Sequence, residues 1–193
     1  IAADVRTFTD FDAIEWILHL TNGGSADTPI LEDIQPLYWS VACDSPDAIL
    51  HSLGGSNQSL PDFMPLDNNL PPGASVPIGA DRGRSSGGSS DPMGHTGGSP
   101  YFNLQTGDHG IIGAIGWTGS WLGHFDRPKP GKVINLQAGF LKTHLLLHPG
   151  ETIRTARILL MNWKGDVVDS QNTWRRLILA HYAPKDPQGQ VLP

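Results

Sequence analysis

The sequence has one cysteine, three tyrosines, no long apolar run and no cluster of basic residues. The single Cys43 cannot form an internal disulfide, so packing must hold the fold together. The cysteine content does not decide whether the protein is cytoplasmic or is secreted or periplasmic in a bacterium. Without a stretch of about 20 apolar residues, a membrane-spanning helix is not expected. A net charge of -6 without a basic patch argues against a nucleic-acid partner.

The composition is compatible with one large all-β unit. A length of 193 residues is common for single sandwiches and barrels. Six tryptophans against three tyrosines are a mild indication of sugar binding, because a flat aromatic face can cover the apolar face of a pyranose. Core packing is the commoner use of tryptophan, so both interpretations stay open.

Alternating apolar residues predict strands over much of the chain. In residues 13–20, Ile14, Trp16 and Leu18 fall on one face of an extended segment, as in a half-buried strand. Apolar residues and glycines on both faces, with Gly113 leaving room for a close neighbour, indicate a covered strand at 111–117. Further extended segments are predicted at 30–37, 38–42, 121–125, 132–138, 143–147 and 152–160.

Two parts of the chain depart from this pattern. Residues 44–100 are rich in Gly, Ser, Pro, Asn and Asp, and their apolar residues show no period, which predicts a long loop laid over the sandwich. Apolar residues at helical spacing between Trp174 and His181 predict one helix, capped by Asp169 or Ser170 and ended by Pro184.

The predicted organisation is therefore a large antiparallel β-sandwich with one C-terminal helix. Residues 1–168 form the sandwich, including the loop at about 44–100, and residues 169–193 form the helix and a linker.

Apparent catalytic and metal signatures have better structural explanations. Residues 83–87 match G-x-S-x-G, but the strand before and the helix after that a nucleophile elbow needs are not predicted. His144 and His148 are four apart on a predicted strand without a third ligand at metal spacing. A glycosidase needs two carboxyl groups across the scissile bond, and no acidic pair stands out. The sequence thus predicts no catalytic residue, no metal and no cofactor.

Several short motifs occur in a specific order. They are RGRSS at 82–86, PYFNL at 100–104, GWTGSW at 116–121, AGF at 138–140, LHPGETIRT at 147–155 and NTWRRLILAHYAP at 172–184. In this order and spacing they resemble the N-terminal β-supersandwich domain of glycoside hydrolase family 36, the α-galactosidases. The resemblance covers most of the chain. It departs from the family at Ala156, where a proline is common, and in the long Ser/Gly insert at 87–98.

The resemblance implies a parent enzyme whose catalytic residues lie elsewhere. In similar enzymes a (β/α)8 barrel follows, and two of its aspartates carry out retaining hydrolysis of α-galactosides without metal or cofactor. The expected role of this chain is that of a non-catalytic domain that supports its own barrel and the assembly of a homo-oligomer. Whether the protein is an enzyme thus depends on the barrel, and its carbohydrate substrate would be bound through the parent.

The same resemblance suggests which residues lie at a domain junction or near the substrate. Asp81, Arg82 and Arg84 are expected at such a junction, where arginine suits carboxylates or sugar hydroxyls. A loop-fixing ion pair is the commoner use of such arginines. Trp117 and Trp121 are candidates for a sugar platform or an interface, with core packing as the alternative.

Two other function classes remain open. A stand-alone carbohydrate-binding module or lectin would also be a sandwich with exposed aromatics, and it should bind sugar by itself. A purely structural oligomerisation domain should contact no sugar even in the intact protein.

Overall fold

The computed structural model describes residues 1–55, 63–80 and 98–192. Within them the chain forms twelve strands and one helix. The strands are β1 Ala2–Phe8, β2 Ala13–Thr21, β3 Leu37–Ala42, β4 Ala48–Gly54, β5 Pro65–Asn69, β6 Ser75–Ala80, β7 Gly98–Thr106, β8 His109–Gly116, β9 Trp121–Asp126, β10 Val133–Phe140, β11 Thr152–Arg154 and β12 Arg157–Lys164, and the helix is α1 Val167–His181.

The strands form two antiparallel sheets. The larger has eight strands in the order β1-β2-β12-β8-β7-β4-β5, with β11 also pairing with β2. The smaller has the order β3-β10-β9-β6. The predicted mainly-β sandwich with a single C-terminal helix is confirmed. The division into two units at residue 168 stays a prediction.

Apolar side chains fill the space between the sheets. Because β2, β8, β9 and β10 show the alternation or double-sided burial read from the sequence, their predicted positions are confirmed within a few residues. At Gly113 an added Cβ would lie 2.3 Å from the Phe102 ring, so the close neighbour predicted there is an aromatic core residue. The largest fully buried side chains between the sheets are Phe125, Leu37, Leu50, Leu70, Leu104, Ile115, Ile134, Leu136 and Ile158.

The prediction of a continuous irregular loop at 44–100 is wrong, because β4, β5, β6 and the start of β7 lie within it. The core face of β4 carries Ala48, Leu50 and Ser52, so only one large apolar residue marks its alternation. Strand β6 contains Pro77, which an edge strand tolerates because one row of its backbone groups needs no partner. Weak apolar alternation in β4, polar composition in β5 and a proline in β6 therefore concealed three strands.

Three other predicted strands are absent or divided. Residues 143–147 and 30–37 lie side by side but share only an isolated bridge between Leu31 and Leu145. The predicted strand 152–160 is divided into β11 and β12, because its pairing with β2 shifts by one residue between Arg154, which lies opposite His19, and Ile158, which lies opposite Trp16.

Helix α1 packs on the outer face of the larger sheet. Its N-cap is Asp166, whose carboxylate accepts hydrogen bonds from the backbone N–H groups of Val168 and Asp169. The predicted cap at Asp169 or Ser170 is wrong by three or four residues, because Val167–Asp169 already have helical geometry. No helix in the described ranges is long and apolar enough to cross a bilayer. The second core beneath the helix consists of Phe8, Ala13, Ile112, Leu159, Met161, Trp163 and Leu177.

Arg127 fastens the segment before β4 to the turn after β9. Its side chain is 3% exposed. Its Nε donates to the Gly131 carbonyl oxygen at 3.0 Å, and Nη1 donates to the carbonyl oxygens of Leu70 at 2.8 Å and Pro46 at 3.1 Å. Nη2 donates to the Ser45 carbonyl oxygen at 2.6 Å. One buried guanidinium therefore satisfies four backbone acceptors from three separate parts of the chain.

Candidate functional site

The predicted junction residues Asp81, Arg82 and Arg84 lie outside the described residues, so their role stays a prediction. The structure does describe where their segment is attached. The chain leaves the smaller sheet at Ala80, the end of edge strand β6, and enters the larger sheet at Gly98.

These two attachment points are adjacent. A Cβ added to Gly98 would lie 3.6 Å from the Gly79 carbonyl oxygen, so the two backbones are in van der Waals contact. Ala80 is paired with Trp121 in the register of β6 and β9. The attachment points of the predicted junction segment and the predicted tryptophan therefore lie at the same end of the sandwich.

Trp121 lies in the core at this end. Its side chain is 3% exposed and belongs to the cluster between the sheets. On its other side Trp121 pairs with Phe140 of β10. This is the placement described by the core-packing alternative, and it leaves no ring face open to a sugar.

Trp117 is half-buried at the same end. Its ring lies 4.6 Å from the Phe140 ring, centroid to centroid, and the Arg154 guanidinium carbon lies 5.7 Å from the Trp117 centroid. The following turn is folded onto the indole, since a Cβ on Gly119 would lie 2.5 Å from Trp117 Nε1. A role for Trp117 at a domain interface stays a prediction.

A second region, not found by sequence reasoning, lies beside α1. A cavity of about 490 Å³ opens between the helix and the outer face of β7, β4 and β5. We call it the α1 groove, and its lining includes Tyr101, Trp174, His51, Asp67 and Asn103. The alternation of Tyr101, Asn103 and Gln105 along β7 was a possible signal. His51 and Asp67, however, fell in the segment predicted as a loop.

A third region gathers carboxyl groups near the start of α1. A cavity of about 570 Å³ is lined by Asp10, Asp12 and Asp169 among other residues. The hydrogen bond between Asp10 and His181, 2.9 Å from carboxylate oxygen to Nε2, holds the pKa of Asp10 below its usual value. A glycosidase acid needs the opposite shift, so that it carries a proton near neutral pH. Asp10 is therefore unsuited to protonate a leaving group.

The buried Glu15 is also engaged within the domain. Its carboxylate accepts a hydrogen bond from the Tyr182 hydroxyl at 2.5 Å and lies 3.5 Å from Arg157 Nη1. Burial, followed by the hydrogen bond to Glu15, raises the pKa of Tyr182. The arrangement fastens the end of α1 to β2 and leaves Glu15 little capacity for a substrate.

Histidines pair with carboxylates rather than with each other. His144 Nδ1 lies 2.7 Å from Glu32 Oε1, and His148 Nδ1 lies 2.7 Å from Asp27 Oδ1. Residues 1–55, 63–80 and 98–192 contain no cluster of three or more His, Cys, Asp or Glu side chains that could hold a metal ion. The two pairs join residues 27–32 to 144–148, where backbone pairing is sparse.

We expect the replacement Asp27→Asn to lower the pKa of His148. The hydrogen bond to Asp27, then the charges of Asp27 and Glu151, raise the pKa of His148 above its ordinary value. The raised pKa means that the pair stabilises the fold at acidic pH and that this contribution is lost as pH rises through the folded-state pKa. NMR titration of the imidazole protons measures the shift.

A matched control is Asp44→Asn, which removes a carboxylate that lies 3.9 Å from Lys132. It should leave the His148 titration unchanged. An unchanged titration in Asp27→Asn would contradict the pairing.

Solved structures share this fold. α-Galactosidase AgaA from Geobacillus stearothermophilus, a glycoside hydrolase family 36 enzyme, matches with a TM-score of 0.69 over 91% of this chain at 15% identity. The galactosidase domain of the α-galactosidase-sucrose kinase AgaSK matches with a TM-score of 0.71 over 91% at 14% identity. The α-galactosidase from Lactobacillus brevis matches with a TM-score of 0.67 over 87% at 14% identity. The chain has the fold of a domain of family 36 α-galactosidases.

This chain spans only part of those proteins. It covers 23% of the AgaA and AgaSK chains and 22% of the Lactobacillus brevis chain. No family model matches the sequence, and no curated protein matches it. The structural match confirms the resemblance read from the motifs at the level of the fold.

Proposed function

We propose that this chain is a non-catalytic β-sandwich domain of a retaining glycoside hydrolase that acts on α-galactosides. The observation that supports this proposal is the match of 91% of the chain to 23% of an α-galactosidase. Structures of AgaA variants hold raffinose and stachyose, which makes α-galactosyl oligosaccharides the substrate class proposed for the parent.

The placement of the carboxyl groups supports a non-catalytic role. Retaining glycosidases need two carboxyl groups about 5 Å apart, one of them protonated at working pH. Asp10 is held in its ionised form by His181, and Glu15 is bonded to Tyr182. We therefore assign the chemistry to a (β/α)8 barrel of the parent protein and not to this sandwich.

The end of the sandwich that holds Trp117 is the surface proposed to meet that barrel or a second subunit. The segment bearing Asp81, Arg82 and Arg84 is attached beside it, at Ala80. Arginine guanidinium groups there would bind carboxylates of the barrel or hydroxyls of the sugar. The role of these side chains would be positional, because a guanidinium does not exchange protons near neutral pH.

We expect residues 1–193 alone to leave an aryl α-galactoside intact, whereas a longer protein that carries the barrel should cleave it with retention at the anomeric carbon. In that longer protein, Arg82→Ala or Arg84→Ala should raise KM or weaken assembly and leave kcat within a few-fold. Release of the aryl group and NMR of the first-formed anomer measure these outcomes.

The matched control is Arg175→Ala, which removes an exposed arginine on α1. It should change neither KM nor assembly. Turnover by residues 1–193 that disappears when one of their own acidic side chains is neutralised would overturn the proposal.

A further inference from the structure

Asn103 carries a buried amide nitrogen without a partner. The residue is 5% exposed, and its Oδ1 accepts a hydrogen bond from Trp163 Nε1 at 2.8 Å. An indole N–H can only donate, so this contact fixes the amide with its oxygen towards Trp163 and its NH2 group on the other side. Across the described ranges of the chain, no acceptor lies within hydrogen-bonding distance of Asn103 Nδ2. A buried donor of this kind is rare and calls for a physical explanation.

The α1 groove offers that explanation, because Asn103 is part of its lining. The groove volume of about 490 Å³ lies within the range of about 300–1,000 Å³ typical of small-molecule sites. Nδ2 could therefore donate to a ligand that enters the groove. An entirely apolar occupant would leave this donor unsatisfied, so the ligand must carry an acceptor.

Two aromatic rings form a corner of the groove. Tyr101 projects from β7 and is 43% exposed, and Trp174 projects from α1. Their ring centroids are 6.4 Å apart at an interplanar angle of 74°. The face of an aromatic ring is electron-rich and attracts the C–H groups of a flat apolar surface. The C–H face of a pyranose has this character.

His51 and Asp67, two polar residues of the groove lining, belong to a hydrogen-bonded row of side chains. His51 Nδ1 lies 2.7 Å from Asp67 Oδ1, and His51 Nε2 lies 2.9 Å from Gln105 Oε1. The Gln105 amide in turn donates to the Gly107 carbonyl oxygen at 2.9 Å. The Asp67 side chain is 68% exposed, so it keeps acceptor capacity for a hydroxyl group. The row joins β5, β4 and β7 and holds the Asp67 carboxylate, a hydrogen-bond acceptor, in place.

The charge of the lining restricts the ligand further. Among the described residues that line the groove, none is a lysine or an arginine. A phosphate or carboxylate ligand would therefore meet the Asp67 carboxylate, while both ring nitrogens of His51 are already engaged with Asp67 and Gln105. Hydroxyl groups can both donate to Asp67 and accept from Asn103, which suits a neutral polyhydroxylated molecule.

We propose that the α1 groove binds a pyranose unit of a neutral oligosaccharide. The sugar packs its C–H face on Tyr101 or Trp174, accepts a hydrogen bond from Asn103 Nδ2 and donates one to Asp67. This site is non-catalytic and does not depend on the function proposed above. It gives the sandwich a carbohydrate contact of its own.

The test is an NMR titration of the ¹⁵N-labelled 193-residue chain with raffinose, maltotriose and cellotriose in turn. At least one of these probes should cause saturable shifts of the Asn103 side-chain NH2 signals and of the Trp174 and Trp163 indole signals. If none of the three moves these signals, or if the shifts centre on Trp117, the proposal is overturned.

Variants separate stacking from structural effects. Trp174→Ala should raise Kd at least about ten-fold, which corresponds to ~1.4 kcal/mol, and Trp174→Phe should restore part of the affinity. Tyr101→Ala tests the other ring, and because Tyr101 is partly exposed this variant should stay folded. Binding unchanged in both alanine variants would overturn the proposal.

A donor variant and a control complete the test. Asn103→Asp keeps an oxygen for Trp163 but removes the NH2 group, so it should abolish binding while circular dichroism still shows a folded chain. Tyr38→Ala removes a ring that is 75% exposed on β3 of the other sheet, and it should leave Kd unchanged. Retained affinity in Asn103→Asp would contradict the assigned role. Failure of sugar binding would leave the glycosidase proposal standing, because turnover by the longer protein tests that proposal.

Discussion

Replacement of Leu177 by aspartate is expected to lower the free energy of unfolding by roughly 4 kcal/mol or more. Leu177 is fully buried between α1 and the outer face of the larger sheet. The variant removes this apolar contact and places a carboxylate among the apolar side chains of the second core. Because a domain of this size is stable by only about 5–15 kcal/mol, the loss would consume much of the margin. Urea unfolding followed by circular dichroism measures it.

The control is Leu179→Asp, on the same helix two residues later. Leu179 is 43% exposed, so its replacement should cost less than about 1 kcal/mol. Equal effects of the two substitutions would show that the helix is not packed on the sheet as described.

Replacement of Arg127 by methionine should lower the free energy of unfolding by a comparable amount. Here the loss comes from hydrogen bonds that are removed and not from a charge that is buried. Methionine fills a similar volume but donates no hydrogen bond, so the carbonyl oxygens of Ser45, Pro46, Leu70 and Gly131 would lose their donor. At about 1–3 kcal/mol for each buried group left unsatisfied, and with partial relief from water, a loss of ~4 kcal/mol is expected. Thermal unfolding measures the overall change.

Hydrogen exchange gives a second readout for this variant. Amide protection should fall first at Cys43 and Leu70, whose hydrogen-bonded N–H groups lie next to the segments that the guanidinium joins. The control Arg175→Met changes an exposed arginine on α1 and should leave both stability and exchange unaltered. A stable Arg127→Met protein would mean that the carbonyl groups find other donors.

The sequence predicted those parts of the fold in which the pattern of apolar and polar residues matches the pattern of buried and exposed faces. Strand β2 alternates apolar and polar residues because its two faces meet different surroundings, and Ile14 and Trp16 do pack against the core. Helix α1 was found from the spacing around Leu177, but its cap was misplaced. Asp166 and Asp169 are both suitable N-cap residues by type, and only the backbone geometry shows that Asp166 is the cap.

The sequence-based prediction failed where the residue types of a segment do not favour the strand that the segment forms. Strand β5 is short and polar, β6 contains a proline, and β4 has only one large apolar side chain on its core face. All three form because neighbouring strands and Arg127 fix their positions. The α1 groove was missed for a related reason. Asn103 and Trp163 lie 60 residues apart in sequence, and a donor without a partner can be recognised only when all its neighbours are known.

The contact between Gly79 and Gly98 has a consequence for how this domain tolerates change in length. The last strand before residues 81–97 and the first strand after them are in contact, so any connection between them has to span only a short distance. Doubling the length of a loop whose ends are held together costs only about 0.6 kcal/mol of closure entropy. Related proteins could therefore differ widely in this connection without disturbing the sandwich. The same place is suited to the insertion of a foreign domain or to new chain termini in a circular permutant.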